Sequence, residues 1–180
     1  MLVTPMEIPG ALVIVPDVFT DDRGFFKETY SRERYREVGV LGEFVQDNLS
    51  ISAVGTLRGL HADARMAKLV QVFAGEAFDV IVDARPESHA YGRWQGVMLR
   101  ATEHTQLYIP AGCLHGFLAM TDGTTLSYKQ TALYDPSAEF GVIWNDPALA
   151  IAWPLQDQSP LVSPKDRLLP SFDKLRTTRV

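Results

Sequence analysis

The residues best placed by type and spacing to do chemistry lie between Gly55 and Gly75, where one histidine, His61, stands between Arg58 and Lys68. Imidazole exchanges protons near neutral pH, which suits a general base, provided that another group orients its second nitrogen. A fixed cation beside it would stabilise the oxyanion that develops when a proton is removed next to a ketone. His61 with Lys68 therefore reads as a carbon-acid site. The competing reading is a metal centre built from His61, Asp63 and His115, since imidazole and carboxylate also ligate divalent metals. A histidine that only satisfies hydrogen bonds in a core is the bland alternative, and the flanking cations argue against it.

The chain that must position these residues has 180 of them, a single-domain length able to bury roughly two thirds of its unfolded surface. One domain over 1–180 is expected. With 46% hydrophobic and 22% charged residues it should fold rather than stay disordered. A net charge of −5 argues against a nucleic-acid or anionic-membrane partner. No run approaches the ~20 apolar residues of a membrane span, and Met1–Pro5 lack a basic, then apolar, leader. The lone Cys113 excludes an intramolecular disulfide and reads as a small buried hydrophobe in a reducing compartment. A cytoplasmic location follows as an expectation.

Short strands dominate the pattern. Apolar or alternating runs over 11–15, 25–30, 44–54, 68–73, 77–82, 93–99, 105–109, 114–120 and 124–131 predict strands. Glycine-bearing turns at 74–76 and at Asp122-Gly123 predict two hairpins. Ser31 can cap a helix over 32–38 that Gly39 would end. In 77–82, Phe78 and Val80 should share one face with Val82, and Asp79 the other with Ile81. From Pro147 onward, prolines break regular structure while Ile151, Trp153, Leu155, Leu161 and Leu168 remain too apolar for a free tail. That segment should wrap along the β-structure and deliver residues to it. Trp94, Trp144 and Trp153 read as core packing.

Two spacings resemble those of the cupins, small jelly-roll barrels that often hold a metal. Pro110-Ala111-Gly112-Cys113-Leu114-His115 matches the Pro-x-Gly-x-x-His motif, and Gly55, His61 and Gly75 match positions of the other. Asp63, however, stands where that motif has its second histidine, and Lys68 where it has a glutamate. A protonated lysine cannot ligate a cation and repels one. The expectation is an all-β, cupin-type jelly-roll barrel with a few short helices, no metal and no cofactor.

Further landmarks are Asp22-Arg23-Gly24-Phe25-Phe26-Lys27-Glu28, Phe44-Val45-Gln46-Asp47-Asn48, Leu57-Arg58-Gly59-Leu60-His61 and Val82-Asp83-Ala84-Arg85. After these come His115-Gly116-Phe117, Tyr128-Lys129, Tyr134-Asp135-Pro136, Trp144-Asn145-Asp146-Pro147 and Ser163-Pro164-Lys165-Asp166. In this order, from about 21 to 166, the chain resembles the dTDP-4-dehydrorhamnose 3,5-epimerase family of cupin-like sugar-nucleotide epimerases. The resemblance implies a homodimer acting on a nucleotide-linked, dTDP-type 4-keto-6-deoxy sugar. It implies His61 as the base, Asp166 as its orienting partner, Tyr128 as the acid on the opposite face, and Lys68 with His115 beside the enolate oxygen. Arg23 and Arg58 would hold the pyrophosphate. Glu28, Gln46 and Asn48 would contact the nucleotide, Tyr134 would stack on thymine, and Glu139 and Lys165 would complete the site. Arg23 and Glu28 would serve the neighbouring subunit.

Two departures stand out. The family follows its histidine with Tyr-Gln and a proline-containing loop, whereas residues 62–67 here form a shorter connection without either, and Phe140 follows Glu139. The base, acid and cation are retained. The identity of the sugar, and inversion at C3 alone or at C3 and C5, stay open, as does a non-catalytic sugar-nucleotide-binding barrel.

Overall fold

A computed structural model describes residues 1–155 and 158–178. Gln156, Asp157, Arg179 and Val180, within the expected C-terminal wrap, lie outside the described residues. The chain begins with β1 (Leu2–Pro5), β2 (Leu12–Val15), β3 (Val18–Asp21) and β4 (Gly24–Lys27), followed by helix α1 (Arg32–Glu37). The central strands are β5 (Gln46–Ser52), β6 (Thr56–Ala62), β7 (Lys68–Ala74), β8 (Glu76–Asp83) and β9 (Trp94–Arg100). Then come β10 (Gln106–Ile109), β11 (Cys113–Ala119), β12 (Thr124–Gln130), β13 (Phe140–Gly141) and β14 (Leu161–Val162). Helices α2 (Pro164–Arg167) and α3 (Phe172–Thr178) complete the chain.

One sheet runs β1-β2-β10-β7-β12-β5 and the other β13-β6-β11-β8-β9, with β14 parallel to β6. They face each other as a cupin-type jelly roll, without closing into one hydrogen-bonded cylinder. Between them lie Val70, Val72, Leu107 and Leu126 from the first sheet and Ile81, Leu99 and Phe117 from the second. The outer face of the second sheet, with Leu60, Val80, Val82 and Leu114, is covered by Val142, Leu149, Phe172 and Leu175. Burying each such side chain contributes about 1.5–3 kcal/mol, which docks the proline-rich segment firmly. Trp94 and Trp153 pack at the edge of this layer. Tyr35 of α1 and Val40 cover Ile14, Leu69 and Tyr108 on the outer face of the first sheet. β8 is thus buried on both faces.

Several expectations need correction. The turn at 74–76 does not make a hairpin: β7 pairs with β10 and β12, whereas β8 pairs with β11 and β9. The turn at Asp122-Gly123 likewise joins β11 and β12 of different sheets. Both are corners of the jelly roll, and they pack on each other. The Glu76 N–H donates to Thr121 Oγ1 at 3.0 Å, and Thr124 Oγ1 reaches the Glu76 carbonyl at 3.0 Å. Gly75, at φ +74°, has no room for a side chain, because a Cβ would stand 2.3 Å from Thr121 Oγ1. The strand expected over 25–30 stops at Lys27 and pairs only with β3, as a separate two-stranded hairpin. Ser31 makes no side-chain cap to α1. β1, β3, β13 and β14, with α2 and α3, lie outside the expected runs, as do the bounds of β6. Among the described residues no helix is long and apolar enough to cross a membrane.

Candidate active site

β6 carries both Arg58 and His61, and its approach to β11 is set by two facing glycines. Gly59 has φ +123°, and a Cβ on it would lie 2.6 Å from the Gly116 Cα and 2.8 Å from the His115 carbonyl. The close passage, with a register shift between His115 and Phe117, sets His61 opposite His115.

His61 Nε2 lies 2.7 Å from Asp166 Oδ1, and the histidine side chain is one-quarter exposed. Asp166 is buried in α2, where Ser163 caps the helix by accepting the Asp166 N–H at 3.0 Å. Its other oxygen accepts the Gly59 N–H at 3.3 Å. Burial works against the carboxylate, but the bonds from His61, Gly59 and Ser163 outweigh it and hold the Asp166 carboxyl below its ordinary range. An ionised carboxylate only accepts, so Nε2 carries the proton and Nδ1 is the basic nitrogen.

Lys68, at the start of β7, is buried. Burial lowers its ammonium from 10.5 to about 8, although Glu139, Asp79 and Asp63 pull the other way. Its Nζ stands 5.7 Å from the centroid of the Tyr128 ring. Burial, reinforced by Glu139 and opposed by Arg58, raises the Tyr128 phenol above its ordinary value, so it is a protonated donor at neutral pH. His115 Nε2 is held 2.9–3.0 Å from both oxygens of the fully buried Asp79.

These groups share one cavity of about 490 Å³. Its walls bring together Asn48, Arg58, His61, Lys68, His115, Tyr128, Lys165 and Asp166. Arg58 Nε donates to Ser52 Oγ at 3.2 Å. Asn48 accepts from Gln46 at 2.8 Å, and Gln46 in turn accepts the Tyr134 N–H at 3.1 Å, so Gln46 supports the wall from behind. Lys165 is ion-paired with Glu139. Tyr134 and Glu139 line an annex of about 80 Å³ that also borders His61, Lys68 and Tyr128. Arg23 and Glu28 do not line this cavity. Arg23, on the β3–β4 turn, pairs with Asp21 at 2.5 Å, and Glu28 pairs with Arg34.

The ligand set His61, Asp63 and His115 does not assemble. Asp63 gives both oxygens to Arg65, His115 faces Asp79, and among the described residues no three His, Cys, Asp or Glu side chains are placed to hold a metal. Cys113 is buried, which pushes its thiol up to about 12. Sequence reasoning missed the positioning roles of Asp79 and Ser163. An acid inside the apolar run of β8 and the Ser-Pro-Lys-Asp start of α2 were the available signals.

Fold and site together define a cupin-type jelly roll whose pocket carries a histidine–aspartate pair, a lysine and a tyrosine in place of metal ligands. The chain belongs to the dTDP-4-dehydrorhamnose 3,5-epimerase family, whose model matches residues 5–174. It is 47% identical over 170 residues to the dTDP-4-dehydrorhamnose 3,5-epimerase of Pseudomonas aeruginosa, covering 93% of each chain. Among solved structures it resembles the rmlC epimerase of Mycobacterium tuberculosis, with TM-score 0.95 and 37% identity over 99% of this chain and 92% of that one. It also resembles the dTDP-6-deoxy-D-glucose-3,5-epimerase of Legionella pneumophila, solved with dTDP-4-keto-L-rhamnose. There the TM-score is 0.91 and the identity 41%, over 96% of this chain and 93% of that one.

Proposed function

We propose that this protein is an isomerase that epimerises a dTDP-linked 4-keto-6-deoxy sugar at C3 and C5 through an enolate. The observation that carries this reading is the His61–Asp166 pair in the same cavity as the protonated Tyr128 and the buried Lys68. His61 Nδ1 takes the C3 proton, and the electron pair of that C–H bond becomes the C3=C4 bond while the C4 carbonyl electrons move onto oxygen. Lys68, with His115, faces the resulting oxyanion. Tyr128 then gives its proton to C3 from the other face, and solvent restores the phenol and relieves His61 of its proton. Repetition at C5 inverts the second centre. Arg58 and Asn48 bind the nucleotide portion together with Tyr134, and Gln46 supports them. Lys165 and Glu139 close the sugar end. No cofactor is required.

The working form is a homodimer in the cytoplasm. Phe19, Phe25 and Phe26 are exposed on the β3–β4 hairpin, and Leu49 and Ile51 are exposed on the edge strand β5. Apolar surface of this extent is the mark of an interface. A hairpin crossing to a second copy would carry Arg23 and Glu28 toward that copy's cavity.

The test is exchange in deuterated water with dTDP-4-keto-6-deoxyglucose. The wild type should place deuterium at C3 and C5, and His61→Ala should lose exchange by about 10²–10⁴-fold. Tyr128→Phe should keep exchange at C3 but lose inversion. Absence of deuterium from every 4-keto sugar nucleotide tried would remove the epimerase reading, and equal loss of exchange and inversion in Tyr128→Phe would remove Tyr128 from the acid role.

A further inference from the structure

The shortened connection over 62–67 is tied to the opposite rim of the cavity by the Arg65 side chain. Asp63 is 4% exposed and holds the Arg65 guanidinium from both oxygens, Nε to Oδ1 at 3.0 Å and Nη2 to Oδ2 at 2.7 Å. The same Nη2 lies 3.5 Å from Asp135 Oδ2. Asp135 organises the next turn, accepting from the Ser137 N–H and Oγ at 2.9 and 2.6 Å, while its carbonyl accepts the Glu139 N–H at 3.2 Å. Thr131 Oγ1 adds a second tie by accepting the Ala67 N–H at 2.9 Å. The segment so anchored presents Tyr134 and Glu139 to the annex, whose other wall is Ala62 and Met66.

We propose that Arg65 is a positioning residue for substrate binding. By bridging Asp63 to Asp135 it fixes the 131–139 rim, and so sets the affinity of the cavity for the nucleoside diphosphate portion of the substrate without touching the reacting carbons. The half-exposed ring of Tyr134 supplies the flat face that a nucleobase needs, and its placement depends on that rim. This inference rests on the nucleotide-sugar reading above. The Asp63 contact orients the guanidinium, and the Asp135 contact transmits it, so the two acids have separable effects.

The experiment measures thymidine diphosphate binding by calorimetry, exchange at saturating sugar nucleotide, and the unfolding midpoint for Arg65→Ala, Asp135→Ala and the double variant. Each single substitution should weaken binding about two- to five-fold, the scale of an exposed ion pair. The double variant should be no weaker than Asp135→Ala alone, because that substitution already removes the bridge along with the Ser137 turn contacts. Saturated exchange should stay at the wild-type level in both single variants; the unfolding midpoint should hold in Asp135→Ala and fall in Arg65→Ala, which leaves the buried Asp63 carboxylate without its guanidinium. Unchanged binding, additive losses, or a binding loss in Asp135→Ala shared with exchange and unfolding would each overturn the proposal. A wild type that binds thymidine diphosphate yet exchanges no proton would sink the epimerase reading, while the binding comparison still decides on Arg65. A wild type that binds no thymidine diphosphate would sink both.

Discussion

At Lys68, burial sets charge against stability. The drop of its ammonium from 10.5 to about 8 corresponds to on the order of 3 kcal/mol disfavouring the charged form in the fold. Below pH 8 both folded and unfolded chains hold the proton, and the folded one bears the cost of a buried charge. Between about 8 and 10.5 the folded chain has released it while the unfolded chain has not, so this group makes stability rise with pH there. In the proposed mechanism catalysis runs the other way, since only the ammonium would stabilise an enolate. Turnover should therefore fall as pH rises through about 8 while resistance to urea improves. Lys68→Met should lose turnover, lose that alkaline limb, and be more stable than wild type at pH 7. A Lys68→Met protein with an unchanged alkaline limb would assign the limb to another group.

Among the elements, β6 does most to place the chemistry, and it was the one least legible in the sequence. Arg58, Gly59 and His61 interrupt the apolar alternation by which strands are recognised, so the residues to which the proposed chemistry is assigned erase the signal of the strand that holds them. Gly59→Ala should cost roughly 2–3 kcal/mol, lowering the unfolding midpoint by about 5–10 °C, because its methyl would meet the backbone of β11. A calorimetric scan showing no loss would mean that β6 can move away freely. The turns at 74–76 and Asp122-Gly123 failed differently. Turn residues specify that a chain reverses, not which strand it then pairs with, and here the pairing is decided by contacts far apart in sequence. The cupin-type fold and His61, Arg58 and Lys68 were legible from residue type and spacing, whereas Asn48 and Tyr128 on β5 and β12 were reached through the order of motifs by which the chain resembles its family. The Asp63–Arg65–Asp135 bridge was not, since nothing local links 65 to 135.

For the molecule as a whole, the cavity built by one chain omits Arg23 and Glu28. If they act across a dimer, inactive Arg23→Ala and His61→Ala homodimers unfolded and refolded together should regain about a quarter of wild-type activity. Half of the dimers would then be mixed, and one of the two sites in each intact. An Arg23→Ala homodimer of full activity would remove Arg23 from the site, and an inactive one without recovery on mixing would confine its role to its own chain. The union of His61 with Asp166 spans 105 residues, and this has a consequence in time. At ribosomal rates of about 5–20 residues per second, roughly 5–20 s separate the making of the proposed base from the making of the carboxylate that would aim it. A half-made chain thus carries an unaimed imidazole, and under the proposed mechanism the nascent protein should stay inert toward keto sugars until the segment bearing Asp166 has been made and has settled onto the sheet.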